Sequence, residues 1–437
     1  MVDDIETRKN YYRSGKMGIR QSKIVALEGY RGLAAIVVVG HHLVLAFAPA
    51  KDGILAGLRA RHALAGTPWF VLINGPAAVA FFFVLSGYVL TRRFFQTRDP
   101  ALLLQGLIKR LPRLAGLATV STLASCALFK WRLYDYIAAA AVSGSPWLGH
   151  FGFAGIGPGF QPSWLGAFRQ GAWRNFSRGE NFYNTNLWTM RVELIGSIFV
   201  YGLAFIYDRI GGPRRIWAVF AACATVLWWL PLPALAYDAA FLFGATLSFF
   251  HARRPPRMGV WTAAGLLVLA VYLLGYILPE GAYGLFVFDR AFIEGPLRAT
   301  RYGVWIHALA SVILIHATVA TPAISRLLDN AAGRLLGEIS FPVYLIHVIV
   351  ICSFSSALYL RLAPVLPAPA LFATVALATL IVVAVAAGLL ARADGIWVKW
   401  LTRVTDRLVA VVAQGPAAGP ERTAAYLVQP DAPGGRE

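Results

Sequence analysis

The chain has 437 residues, 58% of them hydrophobic and 14% charged, with mean hydropathy +0.61 and a formal net charge of +19. A soluble domain carries nearer 25% charged residues, so this composition excludes an ordinary soluble protein and indicates a chain that crosses a bilayer many times. The positive charge then belongs to cytoplasmic loops rather than to nucleic acid, for which no basic-aromatic module is visible. Residues 1–23 are polar and Lys/Arg-rich and lack the build of a cleaved signal peptide. Ten apolar segments follow, each about 20 residues long, the length of a membrane-spanning helix. They cover 24–47, 69–90, 112–130, 187–207, 214–231, 234–251, 259–278, 303–321, 336–358 and 368–391. Pro231 and Pro233 interrupt one region, so nine or eleven spans fit as well.

Charge sets the expected orientation. With the N-terminus in the cytoplasm, roughly two thirds of the Lys and Arg residues fall on inner segments, and both termini lie inside. A long outer loop, about 131–186, holds the Gly-rich run "GHFGFAGIGPGF" and then "WLGAFRQGAWRNFSRGENFYNTN". The Gly-rich run lacks the GK[ST] ending of a phosphate loop and reads as flexible. The tail, 401–437, is rich in Pro, Ala and Gly and reads as cytoplasmic and largely disordered after Gln414. The expected fold is an all-α polytopic membrane protein with one membrane domain, 24–400. Cys126, Cys223 and Cys352 lie singly in apolar segments, without metal or redox spacing.

The first span, "LEGYRGLAAIVVVGHHL", keeps ionisable groups where each is costly. Arg31 and His42 are eleven helical steps apart, three turns plus roughly 20°, which places them on one face and about 16 Å apart along the axis. His41 points about 80° away. The pair can line one side of a channel without touching. A neutral imidazole at one end can take a proton, and a guanidinium at the other can hold a phosphate. Glu193 opens the fourth span. Two helical steps separate it from Arg191, about 200°, so those two pair poorly. Ser86, followed by Gly87, reads as close packing rather than chemistry, and His347 lies in the middle of the ninth span.

These stretches resemble the acyltransferase-3 family, bacterial inner-membrane proteins that O-acylate carbohydrates. "RGLAAIVVVGHH" matches its Arg-x10-His signature. "FFFVLSGYVL", "KRLPRL", "NLWTMRVEL" and "LGEISFPVYLIH" are similar to four further motifs, in family order. Two departures stand out. Glu28 replaces a common Asp, and the last span ends in "ARADGIW" where many relatives have a Glu-x-Pro element.

The resemblance implies a multi-pass inner-membrane O-acyltransferase. The donor is cytoplasmic acyl-CoA, most simply acetyl-CoA, and the acceptor is a hydroxyl of an envelope or exported glycan or glycolipid. His42 is then the general base, with Glu193 as the partner that orients it. Arg31, with Arg110 and Arg113 from "KRLPR", holds the donor phosphates. Trp188, Ser86 and His347 line the cavity or support it. No permanently bound cofactor, metal or nucleic acid is expected. The rival expectation is a secondary transporter of an anionic solute that uses Arg31 and His42 as substrate or proton sites.

Overall fold

The computed structural model describes residues 25–414 apart from 56, 155, 157–158, 231–232 and 290–295. The basic N-terminus and the tail beyond Gln414 lie outside the described residues, as do parts of the Gly-rich run and of the Pro231–Pro233 break. Ten long helices carry the fold: α1 (Val25–Phe47), α2 (Gly75–Thr97), α3 (Ala101–Lys130), α4 (Trp188–Ile210), α5 (Pro213–Trp229), α6 (Asp238–Arg253), α7 (Val260–Leu274), α8 (Pro296–Ala320), α9 (Ala331–Val350) and α10 (Ala368–Gln414). The described residues contain no strand, and eight of their helices are long and apolar enough to cross a membrane. α5, with 17 residues, and α7, with 15, fall below that length, whereas α6 reaches it together with the 3-10 turn that precedes it, over Leu235–Arg253. The protein is an all-α polytopic membrane protein.

Several boundaries differ from the sequence expectation, each for a local reason. Residues 68–72 form a separate 3-10 turn, and α2 begins only at Gly75. Asn74 caps it: its side chain accepts from Ala77 N at 3.1 Å, and its amide donates to the carbonyls of Leu274 and Tyr276 at the end of α7. Helix α3 starts at Ala101, so "KRLPR" lies inside it, with Pro112 tolerated in the helix interior. The carbonyl of Pro112 accepts from Trp397 Nε1 of α10 at 3.0 Å. Helix α10 continues through "ARADGIW" to Gln414 and makes the first part of the expected tail helical.

Glycines let two pairs of helices approach to backbone contact, as membrane bundles do without a hydrophobic drive between helices. Between α1 and α9, a Cβ on Gly32 would lie 2.4 Å from Leu336 Cβ, and one on Gly337 would lie 2.6 Å from Glu28 Cβ. Between α2 and α6, a Cβ on Gly244 would lie 1.9 Å from the Val84 carbonyl. Gly87, beside Ser86, packs on the Phe241 carbonyl in the same way. The first of these contacts brings Arg31 against α9.

The 131–186 segment is not a free loop. It holds short helices at Tyr136–Ser143, Pro146–Gly149, Trp164–Arg169 and Asn175–Arg178, with a π-turn over Gln170–Arg174. Phe151, from the Gly-rich run, is fully buried against Phe129, Tyr134 and Tyr136. Burial pushes the Tyr134 phenol well above its ordinary range, so it stays neutral and shares a 2.8 Å hydrogen bond with Ser125 Oγ.

Candidate active site

A cavity of about 170 Å³ opens beside the Arg31 end of α1. Its polar lining is Arg31, Ser86, Arg110, Arg113, Glu193 and Ser340, and Phe82, Phe83, Phe341 and Tyr344 supply aromatic walls. Arg31 donates from Nε to Ser340 Oγ at 2.9 Å and from Nη2 to the Gly337 carbonyl at 2.8 Å. Its Nη2 also lies 2.7 Å from Glu28 Oε2, one turn back on α1. The Glu that replaces the common Asp thus reaches the guanidinium.

Arg110 and Glu193 form a buried ion pair, with side chains 14% and 11% exposed. Arg110 Nε donates to Ser197 Oγ at 2.6 Å, and Ser86 Oγ donates to Glu193 Oε1 at 2.7 Å. Ser86 therefore helps hold a charged group, beyond its place in a packing contact. Arg113 pairs with Asp394 of α10, inside the "ARADGIW" stretch. All three cavity arginines have a carboxylate partner.

The other end of α1 carries a different constellation. His42 Nδ1 lies 2.7 Å from His347 Nε2 of α9, and the two rings are near parallel. The hydrogen-bond chain fixes the tautomers. The Val343 carbonyl can only accept, so His347 Nδ1, 3.1 Å away, carries a hydrogen and donates to it. In the neutral ring His347 Nε2 is then bare and accepts from His42 Nδ1–H. That leaves the lone pair on His42 Nε2 free, the state a general base requires. Trp147, from the short helix Pro146–Gly149, stacks on the His42 ring at 4.8 Å and 13°. Ser145 anchors that helix: its hydroxyl donates to the Leu45 carbonyl of α1 at 2.6 Å and accepts from Leu148 N.

The start of α4 is tied to α9 at this level. Asn186 donates to the Tyr344 carbonyl at 2.9 Å, Asn184 to the Leu345 carbonyl at 2.6 Å, and Thr189 Oγ1 lies 3.0 Å from the Tyr344 hydroxyl. Tyr344 both lines the cavity and packs on His347, so it joins the two ends of the site.

The pairing of His42 with Glu193 is not what the fold brings together. Glu193 lies seven residues along α4 from Asn186, about 10 Å at helical rise, and its carboxylate meets Arg110. Among the described residues no carboxylate lies within ion-pair distance of His42, and the group that meets its Nδ1 is His347. Trp188 does not line the cavity: it is 37% exposed and packs on Tyr237. His41 does point away from His42's partners, towards Asp52, whose Oδ2 lies 3.3 Å from His41 Nδ1. His307 Nε2 donates to the Tyr276 carbonyl, and His316 pairs with His251, both away from this site. Asp52 and Trp147 lie outside every quoted motif, while Asn186 and Ser340 lie within the "NLWTMRVEL" and "LGEISFPVYLIH" motifs and Asp394 within "ARADGIW", with nothing in the spacing to single them out.

The model of the acyltransferase domain that defines the acyltransferase-3 family matches residues 24–388. The chain belongs to the acyltransferase-3 family. The match spans the first nine long helices and part of α10, and therefore both ends of the site. Comparison with curated proteins and with solved structures gave no match. Membership, with the membrane helices, makes the protein a membrane acyltransferase.

Proposed function

We propose that this acyltransferase moves an acyl group, most simply acetyl, from cytoplasmic acyl-CoA to a hydroxyl of a cell-envelope or exported glycan or glycolipid in a bacterial inner membrane. The observation that carries this reading is the two-ended site along α1. Arginines gather in a cavity at the Arg31 end, and a histidine with a free Nε2 lone pair stands about 16 Å along the helix. A CoA thioester is an elongated molecule with phosphates at one end and the reacting carbonyl at the other. The excess of Lys and Arg on the segments at the Arg31 end supports a cytoplasmic position for it, where CoA is found.

In this reading Arg31, Arg110 and Arg113 receive the donor phosphates, which compete with Glu28, Glu193 and Asp394 for the guanidiniums. The acceptor hydroxyl reaches the thioester carbonyl from the outer side. Its oxygen forms the new C–O bond while His42 Nε2 takes its proton. The C–S bond then breaks, and the proton passes from His42 to the leaving thiolate, giving free CoA and the ester. His347 holds His42 in the required tautomer, as a carboxylate does in hydrolase triads. A base of this kind contributes about 10²–10⁴ in rate.

The test is thiol release from acetyl-CoA by inverted membrane vesicles of cells that carry the acceptor, followed by mass spectrometry of the envelope glycans. Wild-type vesicles should release CoA and gain an ester, and His42→Ala vesicles should do neither. Release that is independent of His42, or transport of a solute without thiol release, would overturn the reading.

A further inference from the structure

His42 becomes a cation when it takes the acceptor's proton. A buried cation needs a counter-charge. Glu193 does not supply it, since it meets Arg110 about two turns along α4. One buried carboxylate does stand at the His42 end of α1. Asp52 is 0% exposed, and its ion-pair partner among the described residues is His41. Oδ1 accepts from Ile54 N at 3.3 Å. Oδ2 lies 3.3 Å from His41 Nδ1 but off the hydrogen-bond line, so that oxygen has no donor among the described residues. A buried carboxylate oxygen without a donor is costly and calls for a reason.

We propose that Asp52 is the counter-ion of the His42 imidazolium, acting across the intervening His41 ring. The inference rests on the acyl-transfer reading above. His41 and His42 are adjacent, with ring centroids 5.4 Å apart. His41 is fixed in place: Phe70 meets it edge-on at 90°, and Gly75 presses on it so closely that a Cβ there would lie 2.6 Å from Cδ2. Asp52 is fixed as well. It ends the short helix Pro49–Asp52, and Gly53 turns the chain away at φ +85°. The chain returns so that Leu64 N and Ala65 N bond the carbonyls of Lys51 and Asp52 at 2.9 and 3.0 Å.

The consequence is selective for the transition state. The His42 charge appears when the proton arrives and vanishes when the proton leaves with the thiolate. A fixed negative charge beside it lowers the barrier without strengthening donor binding, so its loss shows in kcat and not in KM. Asp52 touches no reacting atom and is a positioning residue. The 3.3 Å and 5.4 Å contacts put its carboxylate within about 10 Å of the His42 ring centre, and at an effective dielectric of about 20 its removal should slow turnover by at least about 10- to 20-fold.

Full-length Asp52→Asn, Asp52→Glu and the double variant His41→Ala/Asp52→Ala are compared with wild type in vesicles, amounts matched by blot, with acetyl-CoA varied and thiol release as readout. Asp52→Asn should lower kcat by that factor with KM for acetyl-CoA unchanged. Asp52→Glu, which keeps the charge, should retain more of kcat than Asp52→Asn. The double variant leaves no lone buried charge, so it should insert normally and show the same loss as Asp52→Asn. Wild-type kcat in Asp52→Asn or in the double variant, or equal losses in Asp52→Asn and Asp52→Glu, would overturn the counter-ion while leaving the acyl-transfer reading intact. Wild-type vesicles that release no thiol would overturn the acyl-transfer reading and this inference with it.

Discussion

The His42–His347 pair is the most direct test of the mechanism, because the two rings should act as one unit. His42→Ala removes the base and should lower acyl transfer by at least about 10²-fold. His347→Phe keeps a ring of similar size but removes the acceptor for His42 Nδ1–H. That bond, at 2.7 Å, joins two neutral rings before reaction. It becomes charge-assisted once His42 is protonated, and a hydrogen bond to a charged group contributes about 1.5–3 kcal/mol. The expected loss for His347→Phe is therefore about 10- to 100-fold in kcat. His347→Gln can present an amide oxygen to the same hydrogen and should recover part of the loss. The decisive variant is the double one. With the base gone, its orienting partner has nothing left to orient, so His42→Ala/His347→Phe should be no slower than His42→Ala alone. The assay is thiol release from acetyl-CoA by inverted vesicles, amounts matched by blot. If the double variant shows the product of the two single losses, the rings act separately and the tautomer argument fails.

Three further outcomes follow from the same geometry. Glu193→Gln leaves the Arg110 guanidinium buried without its counter-charge and should destabilise the protein by about 3–5 kcal/mol; thermal unfolding in detergent reads this, and an unchanged midpoint would show that the pair is not what holds α3 to α4. Arg31→Ala should weaken acetyl-CoA binding by at most about 1.5–3 kcal/mol, and towards the lower figure because the side chain is 36% exposed and already faces Glu28; an equal penalty on acetyl-CoA and on a donor lacking the 3′-phosphate would show that Arg31 does not read that phosphate. Reporter fusions after Phe95 and after Arg254 should report the cytoplasm and one near Arg178 the outer side; Arg178 and Arg254 on the same side would break the orientation on which the donor route depends.

Much of the architecture is legible from residue order because a bilayer imposes a length and helices impose a period. Each of the ten expected apolar segments overlaps a helix, eight helices being long and apolar enough to cross a membrane, and a boundary shifts where a cap acts locally, as at Asn74. The shared face of Arg31 and His42 is legible for the same reason, since separation along one helix converts directly into angle and rise. The 131–186 segment was harder to read. Its short helices draw their stability from packing onto α1, α3 and α4, and no periodic signal in eight residues or fewer records that.

Contacts between helices obey no such period, and the site is built from them. Arg113 meets Asp394 across 281 residues, and His42 meets His347 across 305. The misplacement of Glu193 has a specific cause. It opens the fourth span and so stands near one membrane face by count alone. Yet Asn184 and Asn186, just before it, are the groups that tie α4 to α9 at the His347 level, which pushes Glu193 about two turns further in, to where Arg110 waits. Once that pair forms, both partners are engaged with each other rather than in the roles the family resemblance implies. A phosphate at Arg110 competes with Glu193 for the guanidinium, and the Glu193 carboxylate meets Arg110 rather than His42. The two ends of the site are therefore electrostatically separate at rest, with arginine–carboxylate pairs at one and the histidine pair with its nearby carboxylate at the other. Binding a donor whose phosphates displace the carboxylates is what would couple them.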